Sequence, residues 1–257
     1  MGKTDIIEYF FGYVRDLLGK VAETQRDALH EAAQVVAECI RDEEKGSVCH
    51  VWGTGGHSSI LTQETLCRKG GLACVNPILD PGISLGHGAM KAIFGLEGVK
   101  GYAAAVLDYR RVKAGDVLII GSPYGVNTVT VEAALTAKSK DVTVIAVTSP
   151  AFSKTVDADH PVRHESRKNL AEVADIVIDS LVPPEDAILQ LDGLDLKVSP
   201  ISTIIHSALF QCLEGLIVEK LLDMGVEPKI WTSSLVMGGA EANQALKDQY
   251  FGVFKNL

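Results

Sequence analysis

Two short stretches carry residue types at spacings that could do chemistry. The first, residues 48–59 (VCHVWGTGGHSS), is an apolar, β-rich run that stops at Gly53 and continues through Thr54, Gly55, Gly56, His57, Ser58 and Ser59. The second, residues 117–128 (VLIIGSPYGVNT), repeats the plan, with Ser122, Tyr124, Gly125, Asn127 and Thr128 after the apolar run. A strand that breaks into a glycine turn and then enters a helix aims several backbone N–H groups, and the positive end of a helix dipole, at one point. That geometry asks for an anion. Hydroxyls and amides in this number, with no lysine in either turn, suit a phosphate monoester held by neutral donors.

The elements that must position these turns follow from hydrophobic periodicity. Over residues 4–42, apolar side chains at Ile6, Phe10, Val14, Leu17 and Val21, then at Leu29, Ala33, Val36 and Ile40, predict one or two amphipathic helices, closed by the EEKG at 43–46. This gives a helical arm over 1–45 ahead of a domain over 46–257, with a second subunit or the chain's own core as the arm's partner. Beyond the first turn the pattern predicts a helix over 59–69, a strand over 72–76, a long glycine-rich loop over 77–100 and a helix over 102–111. Strands over 117–121, 142–148 and 175–179 then alternate with helices over 129–140 and 169–174, and a long apolar helix follows over 201–224, with a further helical stretch at 241–250. This rhythm specifies an α/β fold, a doubly wound parallel sheet in three layers. Ligands of such sheets sit outside the carboxyl ends of the strands, where the winding reverses. If the strands ending at Gly53 and Gly121 are neighbours, the two turns face each other across one crevice.

Composition narrows the functions available. A net charge of −9 over 257 residues argues against a nucleic-acid-binding surface or an anionic-membrane surface. No stretch approaches the roughly 18 apolar residues of a membrane span, and the acids in MGKTDIIEYFF do not suit a signal peptide, so the expected location is cytoplasmic. Cys39, Cys49, Cys67, Cys74 and Cys212 form no CxxC pair and read as reduced thiols in apolar runs. Neither turn is a Walker A loop. A dinucleotide reading would use Asp80 on the ribose, but Ser58 stands where that fingerprint needs glycine or alanine, and the second turn would have no role.

The two turns and their flanks resemble the SIS (sugar isomerase) phosphosugar-binding family, and most closely its uncharacterised sugar-isomerase-domain branch related to phosphoheptose isomerases. The resemblance rests on GTGGHS, ETLCRKGGLACVNPILDP, GHGAMK, GDVLIIGSPYGVN, KNLAEVADIVIDS and VMGGAEAN, and covers nearly the whole chain. Ser122, Gly125 and Asn127 fit the family's second motif, whereas Pro123 and Tyr124 depart from it. The anion is therefore a phosphate or another acidic group.

The resemblance implies an aldose–ketose isomerase of a phosphorylated or otherwise anionic sugar, with no nucleotide cofactor, working as a homodimer or homotetramer. Isomerisation needs a base between C1 and C2 and a donor to open the ring or steady the enediolate. Glu64, on the helix leaving the first turn, is the expected base, with Arg68 one turn on as its ion-pair partner. His57 and His87 are the expected ring-opening or polarising groups. Thr54, Gly55, Gly56, Ser58, Ser59, Ser122, Tyr124, Gly125, Asn127 and Thr128 are expected to hold the substrate, and Lys168 to supply a cation. His206, within the apolar helix, reads as a core histidine. No metal is expected, because Glu64 stands near where zinc-using phosphoheptose isomerases place a histidine. Two other activities remain in view: a non-catalytic phosphosugar sensor, and an amino-sugar phosphate lyase or etherase.

Overall fold

The computed structural model describes residues 5–41 and 46–254. Most of the EEKG stretch expected to close the helical arm lies outside the described residues. Two helices open the chain, α1 (Ile6–Thr24) and α2 (Arg26–Ile40). The Asp5 carboxylate caps α1 by accepting from the N–H groups of Ile7 and Glu8. There follow β1 (Cys49–Gly53), α3 (Ser59–Thr65), β2 (Val75–Pro77), α4 (Ala89–Phe94), α5 (Tyr102–Tyr109), β3 (Val117–Gly121), α6 (Thr128–Ser139), β4 (Thr143–Thr148), α7 (Pro150–Ser153) and α8 (Leu170–Val173). The remaining elements are β5 (Ile176–Asp179), β6 (Ala187–Leu189), β7 (Val198–Pro200), α9 (Ser202–Asp223) and α10 (Gly239–Tyr250).

Five strands form a parallel sheet in the order β2-β1-β3-β4-β5. The winding reverses between β1 and β3, which pair in register from Cys49 on Val117 to Gly53 on Gly121. Both glycine turns therefore leave the sheet side by side, at the switch point where an open α/β sheet forms its crevice. Strand alternation divides the core in two. Val51, Val117, Ile119, Ile145 and Ile178 pack under α2 and α9, while Trp52, Leu118, Ile120, Val144 and Ala146 pack under α5 and α6. On α2, Ala32, Ala33, Val36 and Ala37 are fully buried in the first of these cores.

Several elements differ from the sequence reading. The helix after the first turn stops at Thr65 instead of running to residue 69. The chain beyond it is drawn away by other partners: Gly70 N–H donates to Trp231 O, Ala73 N–H to Lys229 O, and Leu72 N–H to the Glu214 carboxylate on α9 at 2.7 Å. These tertiary bonds also delay β2 to Val75. The glycine-rich loop over 77–100 contains α4 and a single helical turn at Leu96–Gly98. An unforeseen antiparallel ribbon, β6 on β7, brings residues 185–200 across the carboxyl end of the sheet.

Candidate functional site

A cavity of about 290 Å³ opens at the switch point. Gly55, Gly56, His57 and Ser58 form one wall, Pro123 and Tyr124 a second, and Glu185, Asp186, Ser202 and His206 a third. Glu97 reaches in from the turn ahead of α5.

The first wall is shaped by a close approach. Gly53 ends β1, and the Ser58 carbonyl lies where its side chain would be, so the loop folds back over the strand end. Thr62 Oγ1 accepts from Gly53 N–H at 2.6 Å and fixes α3 there. The N–H groups of Gly55, His57 and Ser58 make no hydrogen bond among the described residues, and neither does the Ser58 hydroxyl. They are free to meet an anion. No lysine or arginine lines the cavity.

The second turn depends on Gly125, whose φ of +57° is left-handed and which leaves no room for a Cβ against Thr148 and Leu170. Its N–H donates to Ser122 Oγ at 3.1 Å, and its carbonyl accepts from Leu170 N–H. Tyr124 packs edge-on against Phe152, and burial pushes its phenol pKa up.

Glu97 joins the two turns. One carboxylate oxygen accepts from Gly56 N–H at 2.8 Å and the other from Asn127 Nδ2 at 2.6 Å. The residue is 5% exposed. Burial raises its pKa, against the opposing pull of those two donors and of His57 nearby. A carboxylate clamped between both loops, partly desolvated and facing a cavity, is the arrangement of a general base.

His206 stands opposite on α9. It is buried, and burial lowers its pKa to about 4, so its imidazole is neutral at physiological pH. Its Nε2 has no partner among the described residues. His206 Nδ1 makes no hydrogen bond among the described residues either, and a neutral ring can donate to, or accept from, a substrate oxygen without carrying charge into the site. The base of this wall is set by Asp186, whose carboxylate accepts from the N–H groups of Ile201 and Ser202 and from the Ser202 hydroxyl, and so starts α9. Glu185 and Asp186 both hold positive φ, a strained conformation for residues other than glycine, and both face the cavity.

The stability of the protein carries a signature of His206. Its pKa is lower in the fold than in the unfolded chain, so the unfolded state binds the extra proton between about pH 6.5 and 4. Stability from this group is present above that window and is lost as pH falls through it, by about 3 kcal/mol. Glu97 and Glu214, with raised values, act in the opposite direction, so the contrast with a variant isolates the histidine. Urea midpoints of the wild type minus those of His206→Gln are expected to decline from pH 6.5 to pH 4. A flat difference would mean that the ring is already charged or solvated in the fold.

The residues singled out from sequence divide into four groups. Gly55, Gly56, His57, Ser58 and Tyr124 come together at the cavity. Thr54, Ser122, Gly125, Asn127 and Thr128 stand behind it as support, Thr54 bonding through its hydroxyl to Thr130 at 2.7 Å. Ser59 and His87 face a different cavity, on the other side of the first loop. Glu64 and Lys168 line neither cavity. Glu64 is ion-paired with Arg68 at 2.5 Å, four residues on and past the end of α3, and Lys168 is exposed. Glu97 was not singled out, and His206, read as core, proves to be both buried and in the cavity wall. Asp80, the candidate ribose acid, accepts from the Tyr102 hydroxyl. No three His, Cys, Asp or Glu side chains among the described residues converge where a metal ion would be held.

Comparison with known proteins supplies the context for this geometry. A SIS domain model matches residues 9–149. A UPF0309 protein of Shouchella clausii is 32% identical over 244 residues, spanning 95% of this chain and 96% of that relative. Another UPF0309 protein, from Streptomyces coelicolor, is 36% identical over 237 residues, 91% of either chain. Among solved structures, a phosphoheptose isomerase from Francisella tularensis superposes with a TM-score of 0.53 at 17% identity, covering 85% of this chain and all of that one. The phosphoheptose isomerase of Neisseria gonorrhoeae gives 0.52 at 15% identity, over 83% of this chain and 97% of that one. At these identities the likeness is one of fold. No helix among the described residues is long and apolar enough to cross a membrane.

Proposed function

Because the chain belongs to the SIS domain family, and within it to the UPF0309 proteins, we propose that it binds a phosphorylated or otherwise anionic sugar and interconverts its aldose and ketose forms. The observation that carries this reading is Glu97, a buried carboxylate held by both glycine turns and facing the cavity. The unpaired N–H groups of Gly55, His57 and Ser58, with the Ser58 hydroxyl, receive the anionic end. Glu185 accepts from sugar hydroxyls on the opposite wall, which keeps the phosphate end away from that carboxylate. Glu97 removes the proton from C2 of the open-chain aldose and returns it to C1, while His206 donates its N–H to the carbonyl oxygen and steadies the enediolate. The net change is a proton moved between adjacent carbons and another between their oxygens, with no oxidant and no nucleotide. Glu64 has no part in this scheme. The protein acts in the cytoplasm, as a homodimer or homotetramer, and the exposed Ile6, Ile7 and Phe11 on α1 supply an apolar face for that contact.

The experiment is exchange in D₂O. Sugar phosphates of five to seven carbons are ranked by thermal shift, and the best stabiliser is followed by proton NMR with the protein present. Isomerisation predicts loss of the C2 proton signal and appearance of the ketose. Stabilisation with no exchange would replace the isomerase by a sensing module, and release of a C3 substituent would indicate a lyase.

A further inference from the structure

On the far side of the first loop, at the carboxyl ends of β1 and β2, lies a second cavity of about 230 Å³. The loop is the partition: residues 55–58 face the cleft already described, while Gly53 and Ser59 face this one. One part of its wall is apolar, made by Trp52, Ile78, Leu79 and Ile83. Its polar side chains are Ser59, whose hydroxyl donates to the Gly56 carbonyl, Gln63, Asp80, Ser84 and His87.

Several of these groups have hydrogen-bonding capacity that the fold does not use. Trp52 is 1% exposed, and its indole N–H has no acceptor among the described residues. A buried indole N–H normally finds a partner. Asp80 spends one carboxylate oxygen on the Tyr102 hydroxyl at 2.5 Å and on Ile83 N–H at 3.2 Å, and its other oxygen accepts from no donor among the described residues. The side chains of Gln63 and Ser84 make no hydrogen bond among the described residues. No lysine or arginine lines the space, and Arg110 nearby is committed to the Leu79 carbonyl.

This donor and acceptor set discriminates between ligand classes. The unpaired N–H groups of residues 55, 57 and 58, which receive an anion in the first cavity despite its carboxylates, do not line this one, so the Asp80 carboxylate repels a phosphate here. A carboxylate oxygen without a donor asks for a hydroxyl or an ammonium group, and an unpaired indole N–H asks for an oxygen. Sugar hydroxyls supply both roles, and the C–H face of a pyranose suits the apolar wall. We propose that this cavity is a binding site for an unphosphorylated sugar or amino sugar, separate from the anion-binding cleft. The site does not depend on the isomerase reading, since Ser59 and His87, which line it, have no part in the proposed reaction and none of the residues that act there lines it.

The test uses tryptophan emission. The chain has two tryptophans, so Trp231→Phe leaves Trp52 as the sole reporter. Glucose and glucosamine are the probes, titrated to about 50 mM, enough to detect the millimolar affinity of a small polar ligand. A saturable change in Trp52 emission is expected. Adding Gln63→Leu and Ser84→Val should weaken it at least tenfold. No saturable change with either sugar, or one that survives the Gln63 and Ser84 substitutions, overturns the proposal. If Trp231→Phe does not fold, the same titration is read by saturation-transfer NMR on the wild-type chain and on Gln63→Leu/Ser84→Val, where saturable binding weakened in the variant supports the site and binding that is absent, or equal in both, overturns it.

Discussion

Replacing Glu97 by glutamine is expected to lower kcat for the isomerisation by about 10²–10⁴-fold, the usual contribution of a positioned general base. The substitution removes the only group in the proposed scheme that takes the proton from carbon. It also disturbs the clamp: a glutamine has one carbonyl oxygen for the two donors that Glu97 now satisfies, Gly56 N–H and Asn127 Nδ2. A merely structural role would therefore lower activity through a displaced loop, and two further readouts separate the cases. If Glu97 is the base, thermal stabilisation by the sugar phosphate persists in the variant. The wild-type profile of kcat/KM should also fall on the acid side through a pKa above the ordinary glutamate range, because burial raises that of Glu97 and the base must be ionised to act. In Glu97→Gln this acid limb should disappear from the residual activity. Lost stabilisation together with an unchanged limb would assign Glu97 to loop support alone.

The residues that carry this scheme were unequally legible in the sequence. The turns at Gly53 and Gly121 were visible because a fully buried parallel strand reads as an unbroken apolar run, and its abrupt end in glycine marks the carboxyl edge of the sheet. An apolar run does not say which strand lies beside it, and the β2-β1-β3 order makes the two turns neighbours. Glu97 was hidden because it stands in a glycine-rich stretch with neither helical nor strand period. The available signal was a single acid between Leu96 and Gly98, close ahead of α5. His206 failed for the opposite reason: an apolar helix surrounds it, and burial alone looks the same whether or not a ring nitrogen borders a cavity. Glu64 was attractive because it follows the first turn on a helix. That helix ends at Thr65, and its carboxylate meets Arg68 instead. The β6–β7 ribbon has three residues in each strand, too few for alternation to show, yet it delivers Glu185 and Asp186 to the cavity.

Gly53→Ala is expected to destabilise the fold by about 3 kcal/mol, at the upper end of the cost of overpacking. A Cβ at this position would overlap the Ser58 carbonyl and lie 2.9 Å from the Ser59 nitrogen, and the obstructing atoms are backbone. Side-chain rotation cannot relieve such a contact. Either β1 withdraws, breaking the register in which Gly53 pairs with Gly121, or residues 58–59 lift and carry α3 with them. The second route costs less, because β1 is hydrogen-bonded on both sides along its length, while beyond Thr54, which is tied to Gly121 and Thr130, the loop is joined to other elements by the Glu97 carboxylate on Gly56. Lifting the loop moves the unpaired N–H groups of His57 and Ser58 away from the position of the anion and pulls Gly56 off Glu97. Urea denaturation should therefore show a lower midpoint with an unchanged slope, and the folded fraction should no longer be stabilised by sugar phosphate. Gly55→Ala is the control, since a Cβ there meets nothing closer than 3.5 Å and should leave stability within about 1 kcal/mol of wild type. Equal losses from the two substitutions would show that loop flexibility, and not the close approach at Gly53, sets the conformation of the anion-binding turn.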